Sequence, residues 1–378
     1  MKYDQVFDEV NYQAQMADKV VRITSQFAPY CSHLSLESFP SALSNYRMRA
    51  EFRVWHENDE VDFVMFDKES KQIIKLQQFS PASLIINRTM LILRQKLMSS
   101  EILKKKLFQV DFLSTLSGEL LISLVYHKQL DDFWINEAKK LKNELSSELS
   151  NYFHDQYKKV NVDIVGRARK QKIEVDRDYV IEIIPFKGKH LIYKQVENSF
   201  TQPNAQVAIS MLEWADKQCL NAEGDLLELY CGNGNFSIAL ANRFEKILAT
   251  EISSTSVDAA QFNIEENGVN NLKIIRLSAE EFTEAMTGVR EFRRLKGIDL
   301  KSYNCHTVLV DPPRQGLDPK SVELVRAYDK IIYISCNPDT LLENIKSLSN
   351  THKVDAFALF DQFPYTHHVE CGVVLKRI

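Results

Sequence analysis

The sequence predicts two unlike domains, a mixed α+β domain over residues 1–190 and an α/β domain over residues 191–378. Three observations support this division. The chain has 378 residues, the usual length of two domains. Before Tyr193, strand and helix patterns follow one another without a regular order. From Leu226 onward strands and helices alternate, which is typical of a doubly wound sheet.

The bulk composition is that of an ordinary globular protein, with 44% hydrophobic and 26% charged residues. No apolar run is long enough to cross a membrane, and the polar N-terminus does not resemble a signal peptide, so we expect a cytoplasmic protein without a membrane partner. The six cysteines lie at least twelve positions apart. This spacing excludes C-x-x-C zinc or iron–sulfur motifs and predicts free thiols.

Charge is distributed unevenly along the chain. The net charge of −4 argues against a protein that binds nucleic acid over its whole surface. Residues 1–200 contain 29 Lys and Arg against 27 Asp and Glu, whereas residues 201–378 contain 18 against 24. Any RNA contact therefore needs a local patch, and the first half is the more favourable place for it.

The first half is predicted to begin with an amphipathic helix over residues 1–25, followed by a β-hairpin. The first hairpin strand alternates with period two, so apolar and charged side chains occupy opposite faces. Its charged face carries three arginines within seven residues, Arg47, Arg49 and Arg53. This face suits contacts with phosphates, but a solvated sheet face explains the pattern equally well.

The rest of the first half is predicted to contain a helix over 79–107, strands over 108–115 and 120–126, and a helix over 130–153. A strand over 161–166 leads into a dense basic run that ends at Lys172. These elements offer basic patches and aromatic side chains, but no catalytic constellation.

Seven strands are predicted in the second half, with helices between the first six. In chain order they are 226–229, 247–250, 272–277, 307–310, 331–335, 354–359 and 372–375. In open sheets of this kind, ligands bind beyond the carboxyl ends of the strands. The segments that follow the strands are therefore the candidate site.

A glycine loop, Gly232-Asn-Gly234, follows the first of these strands and lets the backbone approach a nucleotide-like ligand. The dinucleotide fingerprint needs a third glycine where the chain has Ser237, so a pyrophosphate is disfavoured. Glu251 ends the second strand, where an acid can bind both ribose hydroxyls, and Asp311 ends the fourth. These acids fit an adenosine that carries positive charge, S-adenosylmethionine.

The turn after the fourth strand contains two prolines, which fix the backbone and remove two donors. Methyltransferases that act on exocyclic amines place an aromatic residue after these prolines, whereas this chain has Arg314. The turn therefore suits a substrate without an amine, or a phosphate contact. A plain strand-ending turn is the alternative.

Cys336 follows the fifth strand and precedes a helix start, with Asn337 as N-cap, Pro338 at the first helical position and Asp339 in the first turn. The helix dipole is expected to favour the thiolate. A thiolate that adds to C6 of a pyrimidine makes C5 nucleophilic toward a methyl donor. A buried cysteine that only packs is the alternative.

This reaction also needs a base that removes the C5 proton, after which the cysteine leaves by elimination. Asp361 and Glu370 are the candidates. We favour Glu370 because it adjoins the seventh strand, which should neighbour the fifth. His367 and His368 would suit a metal ion together with Glu370, but no further ligand spacing is present, so no metal is expected.

Five motifs extend this reading: NSFTQPN from Asn198, LELYCGNGNF from Leu227, DPPRQG from Asp311, SCNP from Ser335 and FDQFPYTHHVE from Phe360. With these motifs the chain resembles the bacterial tRNA (uracil-5-)-methyltransferases over essentially its whole length. The resemblance implies a C-terminal Rossmann-like class I S-adenosylmethionine methyltransferase domain and an N-terminal RNA-binding domain.

The resemblance also implies the roles of residues. Cys336 would be the nucleophile and Glu370 the base. The cofactor residues that it implies are Gln202, Tyr230, Asn235, Glu251 and Asp311. The implied substrate is the T-loop uridine of tRNA, position 54, which becomes 5-methyluridine, and T-loop-like RNAs such as tmRNA are further candidates. Relatives that act on ribosomal RNA carry an N-terminal iron–sulfur site, which does not fit here because Cys31 is alone in the first half. We expect a monomer without an obligate protein partner.

A uridine stacked inside a folded T-loop must be extruded before it can react. Aromatic and arginine side chains of the first domain are expected to hold the loop. The candidates are Arg47, Arg49, Arg53, Phe108 and His127. For Phe108 and His127, packing in the core is the alternative.

Three other functions stay open on the sequence. One is the same chemistry on ribosomal RNA. Another is a nicotinamide-dependent oxidoreductase on the same fold, which the missing third glycine disfavours. The last is an RNA-folding or RNA-binding protein whose methylation is incidental.

Overall fold

The computed structural model describes residues 9–67 and 70–378, so the start of the predicted N-terminal helix lies outside the described residues. The described chain forms two compact units. The first contains residues 42–183 and 195–205, and the second contains residues 9–41, 184–194 and 206–378. This arrangement differs from a single boundary at residue 190, because the segment 9–41 packs within the second unit. In the described ranges, no helix is long and apolar enough to cross a membrane.

The helices and strands follow one another in the order that the sequence predicts for most of the chain. The helices are α1 (Glu9–Cys31), α2 (Leu84–Ser99), α3 (Glu101–Lys104), α4 (Asp132–Tyr152), α5 (Ala205–Gln218), α6 (Asn235–Ala239), α7 (Ser254–Glu266), α8 (Ala279–Met286), α9 (Pro319–Val325) and α10 (Pro338–Leu348). The strands are β1 (Glu37–Phe39), β2 (Arg49–Glu57), β3 (Glu60–Phe66), β4 (Ile73–Leu76), β5 (Leu107–Ser114), β6 (Glu119–Tyr126), β7 (Asn161–Ala168), β8 (Gln171–Glu174), β9 (Tyr179–Phe186), β10 (Lys189–Val196), β11 (Asp225–Leu229), β12 (Ile247–Glu251), β13 (Leu272–Arg276), β14 (Cys305–Val310), β15 (Lys330–Ser335), β16 (His352–Phe360) and β17 (Glu370–Arg377).

The first unit is built on a sheet of order β4-β3-β2-β5-β6-β7-β8. The predicted hairpin is β2–β3, and its two turn residues, Asn58 and Asp59, both have positive φ, as a tight hairpin turn requires. Alternate residues of β2 are buried, and Phe52 packs edge-on against Phe112 of β5 in the core. The basic run that ends at Lys172 forms the β7–β8 hairpin.

The helix predicted over 79–107 is divided into α2 and α3 at Ser100. The backbone N–H of Ser100 closes α2 by donating to the carbonyl of Leu97, and its hydroxyl accepts from the N–H of Leu103 in α3. One residue therefore ends the first helix and caps the second, because a short polar side chain can replace the missing backbone partner. The change of direction brings the chain to β5.

The second unit is built on a sheet of order β1-β16-β17-β15-β14-β11-β12-β13. It contains all seven predicted strands, with a helix between each of the first six, which confirms the predicted fold class. Their order is 3-2-1-4-5-7-6 when they are counted from β11, and only β17 runs antiparallel to its neighbours. The eighth strand, β1, pairs in parallel with β16 and was not predicted.

The N-terminal helix α1 packs on the sheet of the second unit. Ile23 and Phe27 are fully buried in the core of that unit, and the rings of Phe27 and Phe357 lie 4.8 Å apart. The helix is followed directly by β1 at the sheet edge. Burial of this apolar face explains why the segment 9–41 belongs to the second unit.

We expect Gly166→Ala to test the packing of the first unit. A Cβ at Gly166 would lie 2.3 Å from the six-membered ring of Trp134 and 2.6 Å from Leu130. The substitution should lower the free energy of unfolding by about 1–3 kcal/mol because it overfills the core, and urea denaturation measures this loss. Trp134→Phe removes the ring that clashes, so the double variant should recover part of the loss. If the losses of unfolding free energy of the two single variants simply added up in the double variant, this account would be contradicted.

Candidate active site

The site is organised by the antiparallel pairing of β15 and β17. Ser335 at the end of β15 is opposite Cys371 in β17. Continuation of this register by one residue places Cys336 opposite Glu370. The candidate nucleophile and the candidate base therefore lie on neighbouring strands at the carboxyl end of β15.

Cys336 is half-buried, and its surroundings disfavour the thiolate. Burial, together with the negative charges of Glu370 and Asp311, raises the pKa of its thiol to about 11, although the charge of Arg314 lowers it. The helix start was predicted correctly, because the Asn337 side chain caps α10 by accepting from the N–H of Asp339. The expected preference for thiolate is wrong for the chain by itself, because burial and two acids outweigh the helix dipole.

Glu370 is a buried acid at the start of β17. Burial raises its pKa well above the ordinary value, the charge of Asp311 adds to this effect, and Arg314 opposes it. No residue in the described part of the chain donates a hydrogen bond to its carboxylate. Asp361, the other candidate base, accepts from the Tyr12 hydroxyl at 2.8 Å and the Lys19 ammonium at 2.7 Å. The Asp361 carboxylate is therefore engaged by two donors of α1.

The turn 311–316 is tied to the helix that follows Cys336. The carbonyl oxygen of Arg314 accepts from Nδ2 of Asn337 at 2.9 Å and from Oγ1 of Thr340 at 3.2 Å. Gly316 closes the turn with φ 73°, and a Cβ there would lie 2.8 Å from Oδ1 of Asn344. These contacts hold the rigid turn beside Cys336.

The glycine loop adopts the backbone conformation that the sequence suggested. Tyr230, Gly232 and Gly234 all have positive φ. The N–H of Gly232 donates to the Glu251 carboxylate at 3.0 Å, and the same carboxylate accepts from Ser253 N–H at 2.7 Å. Glu251 therefore joins the loop to the start of α7. A Cβ at Gly232 would meet no atom within 4 Å, so the loop faces open space.

Buried acids lie around this loop. Burial raises the pKa of Asp311 to about 7 and that of Glu228 to about 8, where the charges of Asp311 and Glu251 contribute as well. Within the described residues, Oε1 of Glu228 and Oγ1 of Thr250 are buried without a hydrogen-bond partner. These acidic and hydroxyl oxygens fit a cationic ligand such as S-adenosylmethionine. Glu228 was not identified from the sequence, although an acid inside an otherwise apolar strand was the signal.

The remaining predicted cofactor residues lie in two places. Asn235 begins α6, and its carbonyl oxygen accepts from the Tyr193 hydroxyl at 2.9 Å. The Tyr230 hydroxyl lies 3.4 Å from Oγ of Ser321. Gln202 belongs to the first unit, where its buried Oε1 has no hydrogen-bond partner among the described residues. That oxygen is available to a ligand.

The predicted RNA contacts lie in the first unit, and they are not equivalent. Phe108 and His127 stack with ring centroids 3.9 Å apart, and the Arg53 guanidinium lies 5.2 Å above the Phe108 ring. His127 and Arg53 are exposed, so core packing does not explain this stack. Arg49 donates to the carbonyl of Ser199 at 3.0 Å, and Arg47 donates to the carbonyl of Arg49 at 2.7 Å. Both of these arginines make structural contacts within the unit.

A search for metal ligands among the described residues finds no group of three or more His, Cys, Asp and Glu side chains that could hold an ion. His367 and His368 stack on each other with ring centroids 4.1 Å apart. All six cysteines are free thiols, as predicted.

A profile of the tRNA (uracil-5-)-methyltransferases matches residues 11–378. The chain belongs to this family. The tRNA/tmRNA (uracil-C(5))-methyltransferase of Vibrio vulnificus strain YJ016 is 56% identical to it over 97% of both chains. The corresponding protein of Shewanella amazonensis is 57% identical over 99% of both chains. The resemblance inferred from the five motifs is thereby confirmed.

A solved structure shows the same fold. The tRNA (uracil-54, C5)-methyltransferase of Pyrococcus abyssi, in complex with S-adenosyl-L-homocysteine, superposes with a TM-score of 0.70 at 20% identity. The match covers 97% of this chain and 83% of that one. The fold predicted from the alternation of strands and helices is that of a known methyltransferase.

We expect the reactivity of Cys336 to report the charge of Glu370. Because that charge raises the thiol pKa, Glu370→Gln should lower the pKa from about 11 and accelerate alkylation by iodoacetamide at alkaline pH. Mass spectrometry of the modified peptide over a pH series measures the midpoint. The half-buried Cys305 provides an internal control whose midpoint should not move. An unchanged Cys336 midpoint in the variant would contradict the placement of Glu370.

Proposed function

We propose that this chain transfers a methyl group from S-adenosylmethionine to C5 of the T-loop uridine of tRNA, position 54, and of T-loop-like RNAs such as tmRNA. The proposal rests on one observation above all, the register that places Cys336 opposite Glu370 beside the turn 311–316. Family membership and the names of the relatives support the same reaction.

The chemistry begins with Cys336. The Cys336 thiol releases its proton to solvent, its Sγ forms a bond to C6 of the uracil, and the C5–C6 π electrons move onto the C4 carbonyl to give an enolate. S-adenosylmethionine, when bound, supplies the methyl group that C5 receives. Tyr230, Asn235, Glu251 and Asp311 would hold this cofactor, and Gln202 is the further cofactor residue that family membership implies.

Glu370 completes the reaction. Its carboxylate removes the proton from C5, the C5–C6 double bond re-forms, and the bond between Sγ and C6 breaks to release the cysteine. Burial, which raises the Glu370 pKa, stabilises the protonated product of this step. The charge of Arg314 lowers the pKa of Cys336 and therefore favours both formation and departure of the thiolate.

We further propose that the first unit binds the T-arm. The stack of Arg53, Phe108 and His127 offers a cation and two aromatic rings at the surface, which is the combination that holds unstacked bases. Extrusion of the target uridine would give it access to Cys336. The protein would act in the cytoplasm as a monomer, without a metal ion or an obligate protein partner.

A T-arm minihelix with 5-fluorouridine at the target position tests the covalent step. Fluorine cannot leave as a proton does, so the wild-type protein with S-adenosylmethionine should give a band that resists denaturant, and Cys336→Ser should give none. A band of equal strength in both proteins, or in neither, would refute the mechanism. A matched ribosomal RNA hairpin distinguishes the substrates, because it should give no band.

Glu370→Gln separates the two halves of the reaction. On RNA with an ordinary uridine, we expect the adduct to form and then persist, and turnover to fall about 100-fold or more because the base is absent. Quench-flow measurement of adduct and free methylated RNA follows both species. Normal turnover in this variant would assign the base to another residue.

Phe108→Ala tests the aromatic stack. Because stacking on one base contributes about 1–3 kcal/mol, we expect KM for the minihelix to rise about 10-fold while kcat changes little. Phe133→Ala is the matched control, since Phe133 is an exposed aromatic residue of α4 in the same unit. Equal KM values for the two variants would contradict the proposed RNA contact.

A further inference from the structure

One face of α1 bonds to the segment that leads to Glu370. The residues at positions 12, 15, 19, 22 and 26 are spaced alternately by three and four, so they lie on one side of the helix. The first four bond to the loop between β16 and β17, which spans residues 361–369. We call this segment the base loop, because Glu370 follows it.

The contacts run along the whole base loop. Tyr12 and Lys19 donate to the Asp361 carboxylate, and Lys19 also donates to the carbonyl of Phe363 at 3.1 Å. Oε1 of Gln15 accepts from the backbone N–H of Tyr365 at 2.5 Å. The remaining contacts are Arg22 to the carbonyl of His367 at 2.7 Å and Gln26 to the Asp339 carboxylate, in the first turn of α10, at 2.7 Å.

The pair of Lys19 and Asp361 is deeply buried, with 3% and 0% of the side chains exposed. A buried pair of this kind contributes little net stability compared with apolar residues of similar size, but loss of one partner is costly. The main effect of the pair is therefore to hold the loop in one position, and its net contribution to the stability of the fold is small. If the helix only packed against the loop, apolar residues would suffice at these positions, as Ile23 and Phe27 do where the helix packs on the sheet.

The base loop needs such external support. Tyr365 has φ 59°, an unfavourable conformation for a tyrosine, and the N–H of the same residue is bonded by Gln15. The loop also continues directly into Glu370, whose carboxylate has no donor in the described part of the chain. The position of that carboxylate is thus set by the backbone of the loop.

We propose that α1 is a clamp on the base loop, and that Gln15, Lys19 and Arg22 are positioning residues for proton removal by Glu370. This inference rests on the proposed function. It assigns a catalytic consequence to a helix that lies more than 300 residues before the base in the chain. Because Gln15, Lys19 and Arg22 bond to the base loop and not to the segment of Cys336, their loss should slow release of the methylated RNA and leave adduct formation unchanged.

Gln15→Ala and Arg22→Ala, alone and together, test the clamp in the full-length protein. We expect adduct formation on 5-fluorouridine minihelix within about 2-fold of wild type, and a release rate on ordinary RNA that falls about 10- to 100-fold, because a displacement near 1 Å has effects of this size. Gln13→Ala is the matched control, since Gln13 is exposed and its side chain bonds to Glu9 of the same helix, away from the base loop. The control should match wild type in both steps.

The role of Lys19 can be tested with a double variant that leaves no buried charge unpaired. Lys19→Met alone is expected to unfold readily, so we pair it with Asp361→Leu, which keeps the site apolar and filled. The double variant should retain its melting temperature within a few degrees and still release product slowly. Recovery of normal release in a stably folded double variant would overturn the role of this pair.

The outcomes separate the clamp from the mechanism on which it rests. Equal losses of adduct formation and release would show a general structural role and overturn the inference. Variants that release product as fast as Gln13→Ala would overturn it as well. If Glu370→Gln itself turns over normally, the proposed base is wrong, and that result is independent of the α1 variants.

Discussion

The position of β17 between β15 and β16 is the constraint on which the site depends. If the last strand paired on the outer side of β16, the end of β15 next to Cys336 would have no neighbouring strand on that side. Because β17 enters in the antiparallel sense, its first residue reaches the end of β15, and the register Ser335–Cys371 continues to Cys336 and Glu370. Cys336 and Glu370 are thus 34 positions apart in the sequence but lie on neighbouring strands, one strand spacing apart.

The electrostatics of the site follow from this crowding. Asp311, Glu228 and Glu370 are acids in buried surroundings, and Arg314 is the cation that acts on Cys336 and Glu370. The charge of Asp311 raises the pKa of Glu370, and both acids raise the pKa of the Cys336 thiol, so negative charges crowd one another here. Such a site attracts positive charge, which explains why a sulfonium cofactor suits it better than a dinucleotide with its phosphates.

Sequence patterns revealed the parts of this architecture that depend on local chemistry. The seven strands, the cap of α10 and the pairing of Cys336 with Glu370 follow from periodicity, capping residues and strand order. The pKa of the Cys336 thiol does not follow from such local patterns. The helix start is local in the sequence, whereas the residues that bury the thiol and the acids that act on it come from distant segments. For the same reason Arg47 and Arg49 looked equivalent to Arg53 until their bonds within the first unit were known.

The placement of α1 shows a further limit of local reasoning. Its heptad-like face contains Lys19, Gln15 and Arg22, which on sequence alone indicate a solvated helix surface. Those side chains are instead matched to carbonyl, N–H and carboxylate groups of the base loop. An irregular loop exposes backbone groups that no strand partner satisfies, so a polar helix face covers it better than an apolar one. The polar residues of α1 are thus explained by the irregular backbone that Glu370 requires.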